Sequence, residues 1–328
     1  MAKNTSTAIS HPNIALIKYW GNLDHELRIP ANSSLSMTLG GLETRTSVSF
    51  DPDLTHDEVE LDDHKAEPPV YDRVVSHLDK IRVIAGIQTH ASVQSQNSFP
   101  AGTGIASSAS GFAALTIAAC TAANLSLPSK QLSILARQGS GSAARSILGG
   151  FVELRSGPSS DDAYAVQVAS PEHWDLLDLV AVFSSTHKDK GSSYGHKIAH
   201  TSPLQAARVE DAPRRMDACR SAILDRDFPA LAQIVELDSN MMHAVMQTST
   251  PPLIYVDAAS IDLIKKIEFW RHEGLQVCYT LDAGPNVHCI CTRSSAPEVL
   301  NRLREITQVL HIYESYPGEG AVLEQHPS

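Results

Sequence analysis

Phe99 to Phe112 reads Phe-Pro-Ala-Gly-Thr-Gly-Ile-Ala-Ser-Ser-Ala-Ser-Gly-Phe, and no other stretch restricts the fold of this chain as much. A polar, extended segment from Thr89 to Asn97 runs into Pro100 and two glycines, Gly102 and Gly104. An alanine-rich run with apolar residues at helical spacing follows, from Gly111 to Ala123. The pattern predicts a glycine-rich loop that opens a helix. Such a loop points several backbone N–H groups and the positive end of a helix dipole into one small volume, which suits phosphate. Ser107 and Ser108 can add hydroxyl donors or a magnesium ligand. A tight turn before a core helix is the plainer alternative; the serine pair and the alanine-rich helix favour the phosphate cradle.

The loop is neither of the two common phosphate signatures. It lacks the Gly-Lys-Ser/Thr ending of a Walker A loop. It also lacks a third glycine at the dinucleotide-binding spacing, and an acidic residue about twenty positions on. Pro-x-x-x-Gly-x-x-Ser-Ser-Ala resembles instead the ATP loop of the superfamily of galactokinase, homoserine kinase, mevalonate kinase and phosphomevalonate kinase. Further blocks narrow the resemblance. Asn13-Ile-Ala-Leu-Ile-Lys18-Tyr19-Trp20-Gly21 and Leu27-Arg-Ile-Pro30-Ala-Asn32-Ser33-Ser34-Leu35-Ser36-Met-Thr38-Leu39 precede the loop. Gly139-Ser140-Gly141-Ser142-Ala143-Ala-Arg145-Ser146 and Gly149-Gly150-Phe151-Val152-Glu153 follow it. Asp238-Ser239-Asn240-Met-Met-His243-Ala244 and Tyr279-Thr280-Leu281-Asp282-Ala283-Gly284-Pro285-Asn286 stand in the second half. In that order the blocks are similar to the mevalonate diphosphate decarboxylases and cover most of the chain.

The resemblance implies an α+β fold of two domains, an N-terminal ATP-loop domain and a C-terminal substrate domain, with a deep cleft between them. Mixed strands and helices without regular alternation point the same way. We place the boundary at 183/184, after the strand-like Asp178-Leu-Val-Ala-Val-Phe183. Residues 42–50 alternate as a half-buried strand does, and 51–69 read as an exposed hairpin or loop. Residues 71–86 read as an amphipathic helix with Val74, Val75, Leu78, Ile81 and Ile84 on one side. Ser129 is the expected N-cap of a helix towards Arg137. Helices are expected over 213–224, 228–244, 260–272 and 296–310, and paired strands over 275–281 and 287–292 around the Asp-Ala-Gly-Pro-Asn turn.

Composition excludes several classes. Of 328 residues, 37 are acidic and 26 basic, a net charge of −11 with no Lys/Arg run, which argues against nucleic-acid binding. No apolar run approaches the length of a membrane span, and the first residues lack a signal-peptide core. Five cysteines without a Cys-x-x-Cys pair suit a reducing cytoplasm; Cys278, Cys289 and Cys291 read as packing residues. Fifteen histidines show no ligand spacing, so no protein-held transition metal is assigned. Ser185-Thr-His-Lys188 formally matches Ser-x-x-Lys but lacks the companion motifs.

Site roles follow from the resemblance. Asp282 ends a hydrophobic strand at a Gly-Pro turn and corresponds to the family's catalytic aspartate, set to accept a proton from the tertiary 3-hydroxyl of a mevalonate derivative. Lys18, in an apolar run, would sit beside it and keep it ionised. Arg145 offers a planar fork for the substrate carboxylate, oriented by Asn13. Tyr19, Ser140 and Ser142 resemble the contacts to the 5-phosphate group, with Asn22, Ser192, Ser193 and His196 around it. Pro100, Gly102, Gly104, Ala106, Ser107, Ser108 and Ser110 form the expected ATP site. The implied cofactors are ATP and Mg²⁺, and the implied assembly is a homodimer.

Two departures bear on the substrate. Asn22 stands where the family usually has lysine after Tyr-Trp-Gly, and Ser193 where bacterial members often have arginine. Each lost charged hydrogen bond weakens a terminal phosphate by about 1.5–3 kcal/mol. Related decarboxylases that accept mevalonate 5-phosphate also lack that lysine. The expectation is therefore the monophosphate as substrate and isopentenyl phosphate as product. The alternatives are mevalonate 5-diphosphate, with Lys188, Lys190, Lys197 or His196 supplying the charge, and a kinase that does not decarboxylate. A silent nucleotide-binding or interaction protein is disfavoured by the intact Asp282, Lys18 and serine loop.

Overall fold

The computed structural model describes residues 3–99, 107–184 and 191–324. Pro100, Gly102, Gly104 and Ala106 of the expected ATP loop lie outside them, as do Lys188 and Lys190. Among the described residues the architecture is α+β, built on two long sheets. One runs Val322–Leu323, Asn4–Ser10, Thr44–Phe50, Ala91–Asn97, Glu58–Leu61 and His64–Lys65. The other runs Ala165–Ala169, Phe151–Leu154, Ser34–Gly40, His311–Pro317, Leu176–Val182, Val287–Thr292 and Val277–Thr280, with Asn13–Ile17 also paired to Ser34–Gly40.

The alanine-rich segment is the helix Ser107–Ala122, buried on nearly every side. Its small side chains let it lie close against Asn4–Ser10 and Thr44–Phe50, and Phe112, Leu115, Val48 and Leu78 fill the core between them. A second core joins the long sheet to the helices Ala212–Asp225 and Phe228–Thr248 through Leu35, Met37, Met216, Leu231 and Val235. A third covers its other face with Leu263, Ile267 and Trp270 of the helix Ala258–His272 and Val299 and Leu303 of Ala296–Arg304. Cys289 and Cys291 lie in that third core and Cys278 in the second, all buried and unbridged.

Local departures from the sequence reading have simple causes. Ser129 begins its helix rather than capping it: Pro128 is the N-cap, its ring fixing an extended entry. The helix Val70–Ala85 buries Val74, Leu78 and Ile81, but Ile84 is exposed and the face is completed by His77 and Arg82. Arg82 is held by Asp57 and Asp79, so a charge replaces the expected apolar contact. The last helix stops at Arg304, because the chain must return as the strand His311–Pro317.

The 183/184 cut falls just past the strand Leu176–Val182. Pairing crosses it: His311–Pro317 joins both Leu176–Val182 and Ser34–Gly40, and Val322–Leu323 joins Asn4–Ser10. We propose residues 1–183 and 184–328 as two lobes sharing a sheet.

A buried polar cluster ties the lobes together behind Lys18. Asp238 of the helix Phe228–Thr248 accepts the Lys18 N–H at 2.6 Å through Oδ2 and Arg215 Nε at 2.7 Å through Oδ1. The Lys18 carbonyl accepts from Arg208 at 2.8 Å and from the Asn32 amide at 3.0 Å. Asp238, Arg208 and Arg215 are all buried. Removing one partner of such a cluster leaves an uncompensated charge in the interior. Asp238→Ala is therefore expected to lower the unfolding free energy by about 3–5 kcal/mol, read by urea denaturation; a loss below about 1 kcal/mol would refute the role given to this cluster.

Candidate active site

The two sheets and their helices leave a cavity of about 350 Å³ lined from both halves of the chain. Lys18 reaches it directly after the strand Asn13–Ile17, and Asp282 just past the strand Val277–Thr280, after Leu281. Both are carried on short turns from rigid strands, so their side chains project while the backbone stays fixed. The Lys18 ammonium donates to Asp282 Oδ1 at 2.7 Å. Lys18 is 1% exposed, whereas Asp282 keeps 30% of its side chain open to the cavity. Burial pushes the Asp282 carboxyl up, but Lys18, helped by His288 and Arg145, outweighs it and holds the group below the ordinary carboxylate range. His243 lies near this pair; burial and the Lys18 charge pull its imidazole down to about 4, so it is neutral at physiological pH.

Arg145 comes from the short helix Ala143–Ser146 and is buried. Its Nε and Nη2 donate to Asn13 Oδ1 at 3.2 and 3.0 Å, and Nη1 donates to Ser34 at 2.6 Å. Asn13 is fixed in turn by Ser146 Oγ at 2.7 Å and the Ser142 carbonyl at 3.1 Å. These bonds engage three of the five guanidinium donors and leave two for a ligand. Burial lowers the Arg145 pKa to about 10, against the pull of Asp282 and Tyr19, so it stays charged at neutral pH.

Tyr19, Ser140, Ser142, Ser192, Ser193 and His196 all line the cavity, with Ser107 and Ser108 at the helix start. Ser108 Oγ lies 3.2 Å from Ser140 Oγ. Tyr19 packs over Gly141, where any Cβ would strike its ring. Burial pushes the Tyr19 phenol up despite Arg28, Arg137 and Arg145, so it remains a donor, and it donates to Asn22 Oδ1. Asn22 stands behind Tyr19 rather than on the wall. His196 lies against Tyr19 and Trp20, with ring centroids 4.3 and 4.7 Å away, and its Nδ1 accepts the Gly21 N–H. Burial first, then Arg28, His25, Arg208 and Arg145, pull it down to about 3. His196 is thus a neutral wall and cannot supply the missing charge. Lys197 is exposed and off the cavity wall. Ser110, expected at ATP, points into the core instead, bonded to Thr44 at 2.6 Å and to the Ser107 carbonyl at 3.2 Å.

Two cations on the wall went unassigned in the sequence. Arg28 enters from the turn between Asn22–Asp24 and Ile29–Pro30, and Arg73 from the helix Val70–Ala85. Both lie in segments legible as elements, but nothing in their spacing says that they converge on one cavity. Among the described residues the wall carries Lys18, Arg28, Arg73 and Arg145 against the single carboxylate of Asp282. An acidic protein has here gathered an excess of positive charge at one point, as a polyanionic ligand requires.

Comparison with known proteins agrees with the geometry. Residues 10–165 match the family described as the diphosphomevalonate decarboxylase-like N-terminal domain, and residues 178–325 the mevalonate 5-diphosphate decarboxylase C-terminal domain. The diphosphomevalonate decarboxylase of Candida albicans is 37% identical over 318 residues, covering 91% of this chain and 87% of the relative. The crystal structure of mevalonate diphosphate decarboxylase from Staphylococcus aureus superposes with a TM-score of 0.94 at 35% identity, covering 98% of each chain. MDDEF in complex with MVAPP, AMPPCP and magnesium superposes with a TM-score of 0.92 at 33% identity, covering 99% of this chain and 100% of that one. Similarity that runs the full length in sequence and in fold alike admits one conclusion: this chain belongs to the diphosphomevalonate decarboxylase family.

Proposed function

We propose that the chain catalyses the ATP- and Mg²⁺-dependent decarboxylation of mevalonate 5-diphosphate to isopentenyl diphosphate, as an enzyme of a mevalonate pathway. The observation that carries the reading is the cationic cavity centred on the Lys18–Asp282 pair. The monophosphate expected from Asn22 and Ser193 gives way to the diphosphate. The relatives are named for the diphosphate, and two arginines line the cavity despite Asn22. Assembly as a homodimer and residence in the cytoplasm belong to the same proposal; among the described residues no helix is long and apolar enough to cross a membrane.

The chemistry follows from the side chains. Arg145 takes the substrate carboxylate on its two remaining N–H groups, and Tyr19, Ser140 and Ser142 surround the 5-phosphoryl end. The Asp282 carboxylate, ionised because Lys18 faces it, accepts the proton of the 3-hydroxyl. That oxygen bonds to the γ-phosphorus of ATP as the bond to ADP breaks. The C3–O bond then breaks, its electron pair leaving with phosphate. The bond between C2 and the carboxylate carbon releases CO₂, and its electrons form the C2–C3 double bond. Arg145 keeps the carboxylate bound as an anion until that bond breaks. Mg²⁺, when bound, neutralises ATP phosphate charge. The Ser107 and Ser108 hydroxyls would fit as its protein ligands, because they are oxygen donors on the cavity wall at the start of the helix Ser107–Ala122.

Asp282→Asn is expected to lower kcat by about 10²- to 10⁴-fold, the usual contribution of a positioned base. Lys18→Met removes the charge that outweighs burial, so the Asp282 pKa rises. Since the ionised form is the active one, the acid limb of the pH–rate profile moves to higher pH in this variant; an unmoved limb would sink the pairing argument. Mass spectrometry of products from ATP, Mg²⁺ and each phosphorylated mevalonate tests the reaction itself. Isopentenyl diphosphate with CO₂ is expected; a stable 3-phosphorylated product without CO₂ would make the protein a kinase.

A further inference from the structure

Asn22 cannot replace the cation that the family's lysine would bring, because both ends of its amide are engaged. Its Oδ1 accepts the Tyr19 phenol and its Nδ2 lies 3.1 Å from His25 Nδ1. Six residues on, Arg28 turns into the same cavity. Its backbone is left-handed, with φ of 50°, a conformation uncommon for arginine and held here by its surroundings. Asp24 Oδ1 accepts the Leu27 N–H at 2.7 Å, and buried Arg137 donates to the Leu27 carbonyl at 3.2 Å.

Arg28 and Arg73 hang from consecutive carbonyls at the end of the helix Ser129–Gly139. Arg28 Nε donates to the Gln138 carbonyl at 3.3 Å, and Arg73 Nη2 to the Gly139 carbonyl at 3.2 Å. That arrangement leaves both terminal nitrogens of Arg28 open to a ligand. Among the described residues neither arginine has a carboxylate within 4.0 Å. Arg73 Nε is buried without a partner, and its guanidinium lies 5.0 Å over the Phe112 ring. Burial, with the nearby Arg28 charge, lowers the Arg73 pKa to about 10. Two like charges facing one cavity without a counter-ion are relieved by an anion bound between them. Helix-end capping alone would explain one cation at a carbonyl, but not two left unpaired towards the cavity.

We propose that Arg28 is the specificity residue for the terminal phosphate of the substrate, working beside Arg73 and replacing the charge that Asn22 lacks. This rests on the diphosphate reading above. The test is calorimetric binding of mevalonate 5-diphosphate and mevalonate 5-phosphate to the full-length protein and to Arg28→Asn, which tolerates the left-handed backbone. Arg28→Asn is expected to weaken the diphosphate by about 10- to 100-fold relative to the monophosphate, the range for one charge-assisted hydrogen bond. Placing lysine in the variant, as N22K/R28N, is expected to recover most of that loss, which a purely structural role would not allow. Parallel weakening of both ligands, or no rescue by N22K, would overturn the role of Arg28. A wild-type protein that binds the diphosphate no tighter than the monophosphate would instead overturn the diphosphate reading, whatever Arg28→Asn does.

Discussion

Everything at this site hangs on how the peptide of Lys18 is held. Its N–H and carbonyl are both bonded to side chains, Asp238 on one side and Arg208 and Asn32 on the other. Three of the four buried charges involved belong to the second half of the chain, whereas Lys18 belongs to the first. The ammonium at the far end of the same residue then reaches Asp282, again in the second half. One residue thus joins the two halves of the chain and helps to hold the Asp282 carboxyl below the ordinary carboxylate range. A buried ion cluster adds little net stability over a well-packed apolar one, but it tolerates only one arrangement of its donors. Here that arrangement sets the Lys18 ammonium against the Asp282 carboxylate.

The electrostatics separate into a protein-wide field and a local one. Net charge is −11, yet among the described residues the cavity wall carries four cations and one carboxylate. Neutral groups complete it: the Tyr19 phenol, the serine hydroxyls, and His196, whose burial keeps it uncharged. Among the described residues the charges on that wall therefore belong to arginines, a lysine and Asp282, and His196 beside them is neutral. The acidic exterior favours solubility, while the concentrated positive interior selects ligands of high negative charge.

Asn22 shows how little one motif position says about the charge of a whole wall. Read as a motif, it removes a phosphate contact. In three dimensions it lies behind Tyr19, and the wall in front of it is served by Arg28 and Arg73. Several separate points of the chain can deliver positive charge to one wall.

The α+β class, most helices, the Val287–Thr292 strand and the order of the site blocks were legible in the residues, because amphipathic spacing and turn chemistry are local. Local chemistry left the two central residues open, since a lysine in an apolar run can reach out to water and an aspartate before Gly-Pro can simply cap a turn; only the resemblance set them side by side. What only the tertiary structure decided was contact between distant segments. Lys18 and Asp282 are 264 residues apart, Asp238 and Lys18 are 220 apart, and Arg145 meets Asn13 across 132. The inward turn of Ser110, the neutrality of His196 and the convergence of Arg28 with Arg73 depend on burial and on neighbours brought by the sheets. Periodicity tells which face of an element is buried; only the packed structure tells which charges that burial sets facing one another.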